Sequence, residues 1–257
     1  MNVLLTGGTG QLGLAVANFL LSQGFGVKTL GREPINELIQ NYSWSLGMSP
    51  NPKALADIDC ILHFAWITGD RKQSNAHLNI GGSEKIFEAA SLAKIRVFNI
   101  SSLSAANPVS IYGKSKLAVE KLNFHGINLR IAKVQTPLFT KENSKMKRAF
   151  NSFIILPVAR DVKIYVTEIN QMLDEILYFI TTEYGAGTYE LQYESYLMKD
   201  YLRKYFRLRS IQVPRILLEL VFSCLKLTRL SKAQLLHDRW ISLTSTDNVP
   251  GGKSVDI

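Results

Sequence analysis

Tyr112 and Lys116 are the two residues of this chain whose types and spacing could perform acid–base chemistry. They stand at positions i and i+4, so a helix would present both side chains on one face. A phenol has a reference pKa of about 10, and a neighbouring ammonium favours its ionised form. Lowering that pKa to about 7 requires about 4 kcal/mol, at about 1.4 kcal/mol for each pH unit. The pair therefore predicts a tyrosine that exchanges a proton near neutral pH.

A serine cluster precedes this pair and could hold the oxygen of a reacting substrate. Ser101, Ser102 and Ser104 end an apolar stretch that predicts a strand, and Tyr112 follows ten residues after Ser102. A hydroxyl at the end of a strand can donate a hydrogen bond to a carbonyl oxygen as it reacts. Ser102 is the candidate for this role, Ser104 is the second choice, and Ser101 is expected to be structural.

A glycine-rich loop near the start of the chain predicts a phosphate-binding turn. Thr6 to Gly13 join an apolar stretch to an amphipathic one. Glycines in such a loop let the backbone approach a pyrophosphate, and the following helix offers unpaired N–H groups at its N-terminus. This placement predicts a dinucleotide site, and its candidate binding residues are Gly7, Gly10, Gln11, Leu12 and Gly13.

The residues after the second predicted strand bear on which nicotinamide dinucleotide is bound. The chain reads Leu30-Gly31-Arg32-Glu33 there. A guanidinium can pair with the 2′-phosphate of NADP(H), whereas a carboxylate hydrogen-bonds to the ribose hydroxyls of NAD(H). Arg32 therefore favours NADP(H), and Glu33 leaves NAD(H) open.

These motifs lie on an alternation of strand and helix patterns that is typical of an α/β fold. Strands are predicted at 2–6, 27–30, 42–46, 58–65, 96–101 and 128–134, and helices at 12–23, 82–93 and 112–123. Such connections give a Rossmann doubly wound parallel sheet, with ligands beyond the carboxyl ends of its strands. Residues 1–135 are predicted to form the dinucleotide-binding core. Residues 136–257 are predicted to form a small, mostly helical C-terminal substrate-binding region that partly completes the sheet.

Composition limits the class of protein and of its partners. The chain has 257 residues, of which 46% are hydrophobic and 20% charged, as expected for a folded globular protein. It shows neither a signal-peptide pattern nor a long apolar run, so a cytoplasmic location is expected. Its net charge of +9 comes without a recognised nucleic-acid motif, so no nucleic acid is expected as partner. Cys60 and Cys224 form neither a disulfide framework nor a metal-binding spacing.

Taken in order, the motifs resemble the extended short-chain dehydrogenase/reductase family, in its NAD-dependent epimerase/dehydratase group. The matching segments are residues 6–13, 61–66, 79–83, 101–102, 112–116 and 129–137, with a weaker match at 160–168. The resemblance implies that the backbone around Phe64, Ala65 and Trp66 lines the cofactor and that Tyr112 is the catalytic acid/base. It also implies a nucleoside-diphosphate sugar as substrate. The chain departs from the family at Lys133, where a smaller residue is commoner.

The function expected from these features is an NAD(P)-dependent reductase that acts on a keto group of a nucleotide sugar. A short substrate region and Arg32 favour this over a nucleotide-sugar epimerase or dehydratase with recycled NAD. A non-catalytic NADP(H)-binding regulatory protein is a third interpretation, against which the retained Tyr112 and Lys116 weigh. His63 is expected to be a packed strand residue. The basic, leucine-rich segment 214–230 is expected to pack in the core rather than on a membrane, and a homodimer stays open.

Overall fold

A seven-stranded sheet forms the centre of the protein, whose computed structural model describes residues 1–67, 73–135, 156–207, 210–214, 216, 217 and 220. Its strands are β1 (Asn2–Thr6), β2 (Gly26–Gly31), β3 (Gln40–Ser43), β4 (Cys60–His63), β5 (Arg96–Ser102), β6 (Ile127–Ile131) and β10 (Gly187–Glu190). They lie in the order β10-β6-β5-β4-β1-β2-β3, and each neighbouring pair is parallel. This arrangement confirms the predicted Rossmann doubly wound sheet.

Helices cover both faces of this sheet. They are α1 (Gln11–Ser22), α2 (Gln73–Leu92), α3 (Ile111–Leu122) and α4 (Ile169–Thr181). Helix α2 begins at Gln73, so the predicted start at Gly82 was wrong. Gly82 is needed for packing, because a Cβ there would lie 2.7 Å from the backbone nitrogen of Gly47.

Alternate residues of each central strand supply two separate cores. On β1, Val3 and Leu5 belong to the core under α1 and α4, whereas Leu4 belongs to the core under α2 and α3. This follows from the two-residue period of a strand, which sends successive side chains to opposite faces. Both faces of the sheet are therefore buried, and a ligand can reach the sheet at the carboxyl ends of its strands.

The described part of the chain after residue 135 forms smaller sheets beside the main one. A three-stranded sheet contains β7 (Lys133–Gln135), β9 (Lys163–Glu168) and β11 (Glu194–Leu197), and β8 (Leu156–Ala159) pairs with β12 (Ser210–Val213). A short helix, α5 (Met198–Tyr201), packs Tyr201 into a third core with Ile164 and Phe206. Strand β10 extends the main sheet, whereas the basic segment predicted after Pro214 lies almost wholly outside the described residues.

A buried ion pair docks α3 against the sheet. Glu120 accepts hydrogen bonds from Ser101 Oγ at 2.5 Å and from Arg130 Nη2 at 2.8 Å, and its side chain is 4% exposed. Arg130 also lies 3.6 Å from Glu190 on β10. Glu120 stands one helical turn after Lys116. The Glu120–Arg130 ion pair therefore fixes how α3, which carries the predicted catalytic residues, is rotated about its axis.

A chain of hydrogen bonds runs through His63 and connects β1, β4 and α2. Ala65 N donates to Thr6 Oγ1 at 3.1 Å, and Thr6 Oγ1 lies 2.8 Å from His63 Nδ1. On the other side, His63 Nε2 lies 2.9 Å from Ser83 Oγ, which donates to the carbonyl of Asn79. Since the Ser83 proton is used on Asn79, His63 Nε2 carries a hydrogen and donates it to Ser83 Oγ.

Burial, helped by the nearby charge of Lys116, lowers the pKa of His63 to about 3 from its usual 6.5. The unfolded chain therefore takes up a proton between pH 6.5 and about 3 that the folded protein does not bind, so stability falls as pH falls through this window.

This loss of stability should disappear when His63 is replaced. We predict that, between pH 7 and pH 5, the free energy of unfolding falls by about 2 kcal/mol more in the wild type than in His63→Gln, as measured by urea unfolding at both pH values.

The matched control is His125→Gln, because His125 is exposed. That variant should follow the pH dependence of the wild type. A His63→Gln protein that loses stability as steeply as the wild type would show that His63 is not held neutral.

Candidate active site

The carboxyl ends of three adjacent strands assemble the candidate site. Strand β4 lies between β1 and β5, and Thr6 is in register with His63, which is in register with Asn99. The loop after each strand therefore emerges at one edge of the sheet. These loops carry the glycines, the segment with Trp66 and the serine cluster.

The glycine loop after β1 makes two close backbone approaches. Gly7 has a φ of +71°, and a Cβ there would lie 2.7 Å from the nitrogen of Ala65. A Cβ on Gly13 would lie 2.4 Å from the carbonyl oxygen of Gly7. Both positions therefore exclude larger residues, because the first turn of α1 and the loop after β4 press against the glycine loop.

The N-terminus of α1 is open toward solvent. Its N-cap residue is Gly10, which supplies no side-chain cap, and the first turn carries no acidic residue. Gly10 and Gln11 are exposed, whereas Leu12 is half-buried and Gly13 buried. An uncapped helix start of this kind presents N–H donors and a partial positive charge to an anion.

Arg32 and Glu33 follow β2, two strands away from β4. Both side chains are exposed. Two strand spacings of about 4.8 Å put them about 10 Å across the sheet from the loop after β4. They therefore lie beside the glycine loop rather than beside Tyr112. The end of β2 is held by Asn41, a residue that the sequence analysis did not single out, whose Nδ2 donates to the carbonyl of Gly31 at 3.3 Å.

The three serines have different environments at the end of β5. Ser101 is buried and donates to Glu120, which fits the structural role expected for it. Ser102 is half-buried and accepts a hydrogen bond from Ser104 N at 3.3 Å, as the N-cap of the turn Leu103–Ala105. Ser104 lies within this turn, so Ser102 is the hydroxyl at the strand end.

Helix α3 places Tyr112 and Lys116 against this edge. Ser110 caps the helix by accepting from Gly113 N at 3.1 Å, and a Cβ on Gly113 would lie 2.4 Å from the carbonyl oxygen of Ser104. The helix therefore starts in close contact with the serine turn. The predicted one-face arrangement is present, since Lys116 Nζ lies 6.0 Å from the centre of the Tyr112 ring.

The ammonium of Lys116 is buried rather than exposed to solvent. Lys116 is 6% exposed, and its Nζ donates to the carbonyl of Ile100 at 2.8 Å. The indole of Trp66 lies over it, with Nζ 3.9 Å from the ring centre, and meets the Tyr112 ring edge-on at 5.8 Å. Phe64 is half-buried and Ala65 buried in the same loop.

The structure gives a role to Asn79, which opens the matching segment 79–83, and adds side chains that the sequence motifs did not identify. Asn79 on α2 holds the loop after β4, because its Oδ1 accepts from Ile67 N at 2.8 Å and its Nδ2 donates to Ile67 O at 3.2 Å. The side chain of Trp66 was also missed, since the resemblance pointed to its backbone alone. A signal for Glu120 existed in its four-residue spacing from Lys116.

Two other features of the described residues lie outside this site. Cys60 is buried in β4, and burial raises the pKa of its thiol to about 12, which makes it inert. Among the described residues no cluster of His, Cys, Asp or Glu could hold a metal ion, and no helix is long and apolar enough to span a membrane.

Known structures share this architecture. UDP-N-acetylglucosamine 4-epimerase from Bacillus cereus is 19% identical, over 84% of this chain and 87% of that chain, with a TM-score of 0.65. MoeE5 in complex with UDP-glucuronic acid and NAD is 20% identical, over 83% and 86%, with a TM-score of 0.67. TunA, an NAD-dependent NDP-hexosamine 5,6-dehydratase, is 16% identical, over 84% and 85%, with a TM-score of 0.68. At these identities the likeness shows the fold.

A family model gives the relationship at the level of sequence. No curated protein matches the chain closely enough to count as a relative. The model of the NAD dependent epimerase/dehydratase family matches residues 3–126, the stretch that holds the glycine loop, the serine cluster and the Tyr112–Lys116 pair. The resemblance drawn from the ordered motifs is thereby confirmed for this part of the chain, which is similar to the NAD dependent epimerase/dehydratase family.

Proposed function

We propose that the protein is an NAD(P)-dependent oxidoreductase that reduces a keto group on a nucleoside-diphosphate sugar. The observation that carries this proposal is the buried ammonium of Lys116 beside the ring of Tyr112. A cation in that position favours the ionised phenol and so turns a weak acid into a usable proton donor. Helix α3, which carries the pair, starts against the serine turn, and that turn lies at the same sheet edge as the glycine loop before α1.

The residues at this edge fit a nicotinamide dinucleotide. The exposed, uncapped N-terminus of α1 suits a pyrophosphate, since Gly10 brings no side chain between the backbone and the ligand. Arg32 is exposed beside this loop and could pair with a 2′-phosphate. The segment Phe64–Trp66 would line the path from the glycine loop to Lys116. We therefore propose NADP(H) as the preferred cofactor.

The chemistry divides between the cofactor and the side chains. A bound dinucleotide would supply the hydride. Tyr112 would donate its phenolic proton to the keto oxygen, and Lys116 would stabilise the phenolate that remains while holding the nicotinamide ribose. Ser102 would donate a hydrogen bond to the same oxygen and stabilise the charge that develops on it.

The proposed substrate class is supported by the fold relatives rather than by a pocket residue. MoeE5 has been solved with UDP-glucuronic acid and with UDP-glucose, in both cases together with NAD. A sugar nucleotide presents a diphosphate, which suits a chain of net charge +9. We propose that the region after residue 135 binds it.

A second candidate function is epimerisation or dehydration of a nucleotide sugar. It is favoured by the names of the fold relatives, which include a 4-epimerase and a 5,6-dehydratase. In such a reaction the dinucleotide is reduced and reoxidised within one cycle, and Glu33 would hold the ribose of NAD. The two functions differ in a simple observable, because a reductase consumes one reduced dinucleotide for each product and the alternatives consume none.

Removal of the Tyr112 hydroxyl tests the proposed chemistry. We predict that Tyr112→Phe lowers kcat for reduction of a nucleotide-linked 4-keto sugar by about 100-fold or more, because the proton donor is lost. Oxidation of NADPH at 340 nm gives the rate. Tyr178→Phe, on α4, is the matched control and should keep the wild-type rate. Equal kcat values for wild type and Tyr112→Phe would exclude the proposed role.

Arg32 should decide between the two dinucleotides. We predict that Arg32→Ala weakens NADPH binding by about 10- to 100-fold and NADH binding by less than about threefold, because a charge-assisted pair with the 2′-phosphate is removed. Fluorescence titration of the nucleotide-stripped protein measures both affinities. Glu33→Gln is the control for NADPH. An equal loss for the two dinucleotides, or tighter binding of NADH by the wild type, would contradict the preference.

A further inference from the structure

We infer that Trp66 is a positioning residue for Lys116, in which the face of the indole holds the buried ammonium beside Tyr112. This inference rests on the proposed function only where it concerns catalysis. The contact itself is a property of the protein without ligand. It concerns the side chain of Trp66, whereas the family resemblance pointed to the backbone of this segment.

The contact has the geometry of a cation–π interaction. Lys116 Nζ lies 3.9 Å from the centre of the indole, well inside the distance of about 6 Å at which a cation is attracted by a ring face. The carbonyl of Ile100 receives a hydrogen bond from the same nitrogen at 2.8 Å. The attraction is strongest where water is excluded, and Lys116 is 6% exposed.

Packing alone does not account for a tryptophan here. Its Nε1–H is buried and finds no hydrogen-bond partner within the described part of the chain. An unsatisfied buried donor is destabilising, and phenylalanine or leucine would fill an apolar site without one. What tryptophan offers beyond those side chains is the most electron-rich face, and that face is turned to Lys116.

The loop that carries Trp66 is fixed on both sides of the indole. Ala65 N donates to Thr6 Oγ1 at 3.1 Å, and Ile67 is bonded through its N–H and its carbonyl to the side chain of Asn79, which is fully buried. The indole therefore meets Lys116 from a rigid support. A rigid partner can hold an ammonium in one place, which a mobile one cannot.

A neutral partner suits the chemistry proposed for Tyr112. A carboxylate would also hold Lys116, but its negative charge would cancel the field that favours a phenolate. The indole and the carbonyl of Ile100 carry no net charge, so neither of these two contacts cancels the positive charge that acts on Tyr112. His63 on β4 lies near the same charge, which after burial is the second cause of its lowered pKa. Glu120, one turn further along α3, is already engaged by Arg130.

Chemical labelling of Lys116 in the ligand-free protein tests the inference without any substrate. Trp66→Leu removes the ring face, so the amine should be held less firmly and be easier for a reagent to reach. We expect acetic anhydride to acetylate Lys116 about tenfold faster in Trp66→Leu, with the rates read from peptide mass spectra. Trp66→Phe keeps a ring face and should stay within about threefold of the wild type.

Lys28 on β2 is the internal control, because its Nζ donates to a backbone carbonyl, that of Ala56, far from Trp66. Its rate should be equal in all variants. If both lysines accelerate in Trp66→Leu, the variant is unfolded and Trp66→Met supplies the ring-free side chain instead. An unchanged Lys116 rate in a folded ring-free variant overturns the inference, as does equal acceleration in Trp66→Phe.

Turnover separates this inference from the proposed function. With a 4-keto sugar nucleotide, Trp66→Leu should lower kcat about tenfold, and it should cause no further loss when Lys116 is already replaced by Met. A full additional loss in the Lys116→Met background would show that Trp66 does not act through Lys116. If Lys116 is acetylated faster in Trp66→Leu but the wild-type protein consumes no NADPH, the positioning role of Trp66 is kept and the proposed reductase function is rejected.

Discussion

The burial of one ammonium group, that of Lys116, is the constraint on which the rest of the site depends. A charge with 6% exposure is tolerated in a folded protein only when its neighbours replace the lost water. Two neighbours come from different strands: the carbonyl of Ile100 from β5 and the indole of Trp66 from the loop after β4. Helix α3 supplies the group itself, so three elements must be held in register for this one contact.

Polar groups inside the fold hold those elements in place. The Glu120–Arg130 pair ties α3 to β6, and through Ser101 it reaches β5. Neutral His63 ties β4 to β1 and α2, and Asn79 holds the loop that follows. Each of these groups lies in a buried interface between elements, where a satisfied polar contact specifies one arrangement more narrowly than apolar packing does. The apolar cores stabilise the sheet, and the polar contacts orient the site.

Local patterns in the sequence predicted the parts of this arrangement that depend on short spacings. The glycine loop, each single strand and the Tyr112–Lys116 pair occupy a few consecutive residues, and the fold confirms the sheet that the predicted strands imply. Contacts through space were not predictable in this way. Trp66 contacts Lys116 although 50 positions separate them in the sequence. The sequence predicts a helix start at Gly82 because it does not show that Gly82 packs against Gly47. The roles of Ser102, Tyr112 and Lys116 stay predictions of the sequence that the geometry accommodates.

A crystal structure of the protein grown with NADPH would show whether this sheet edge is a dinucleotide site built around Lys116. We expect the pyrophosphate at the N-terminus of α1, the 2′-phosphate beside Arg32 and the nicotinamide ribose within hydrogen-bond distance of Lys116 Nζ. A dinucleotide bound with its nicotinamide away from Tyr112 and Lys116, or no dinucleotide at saturating concentration, would contradict it.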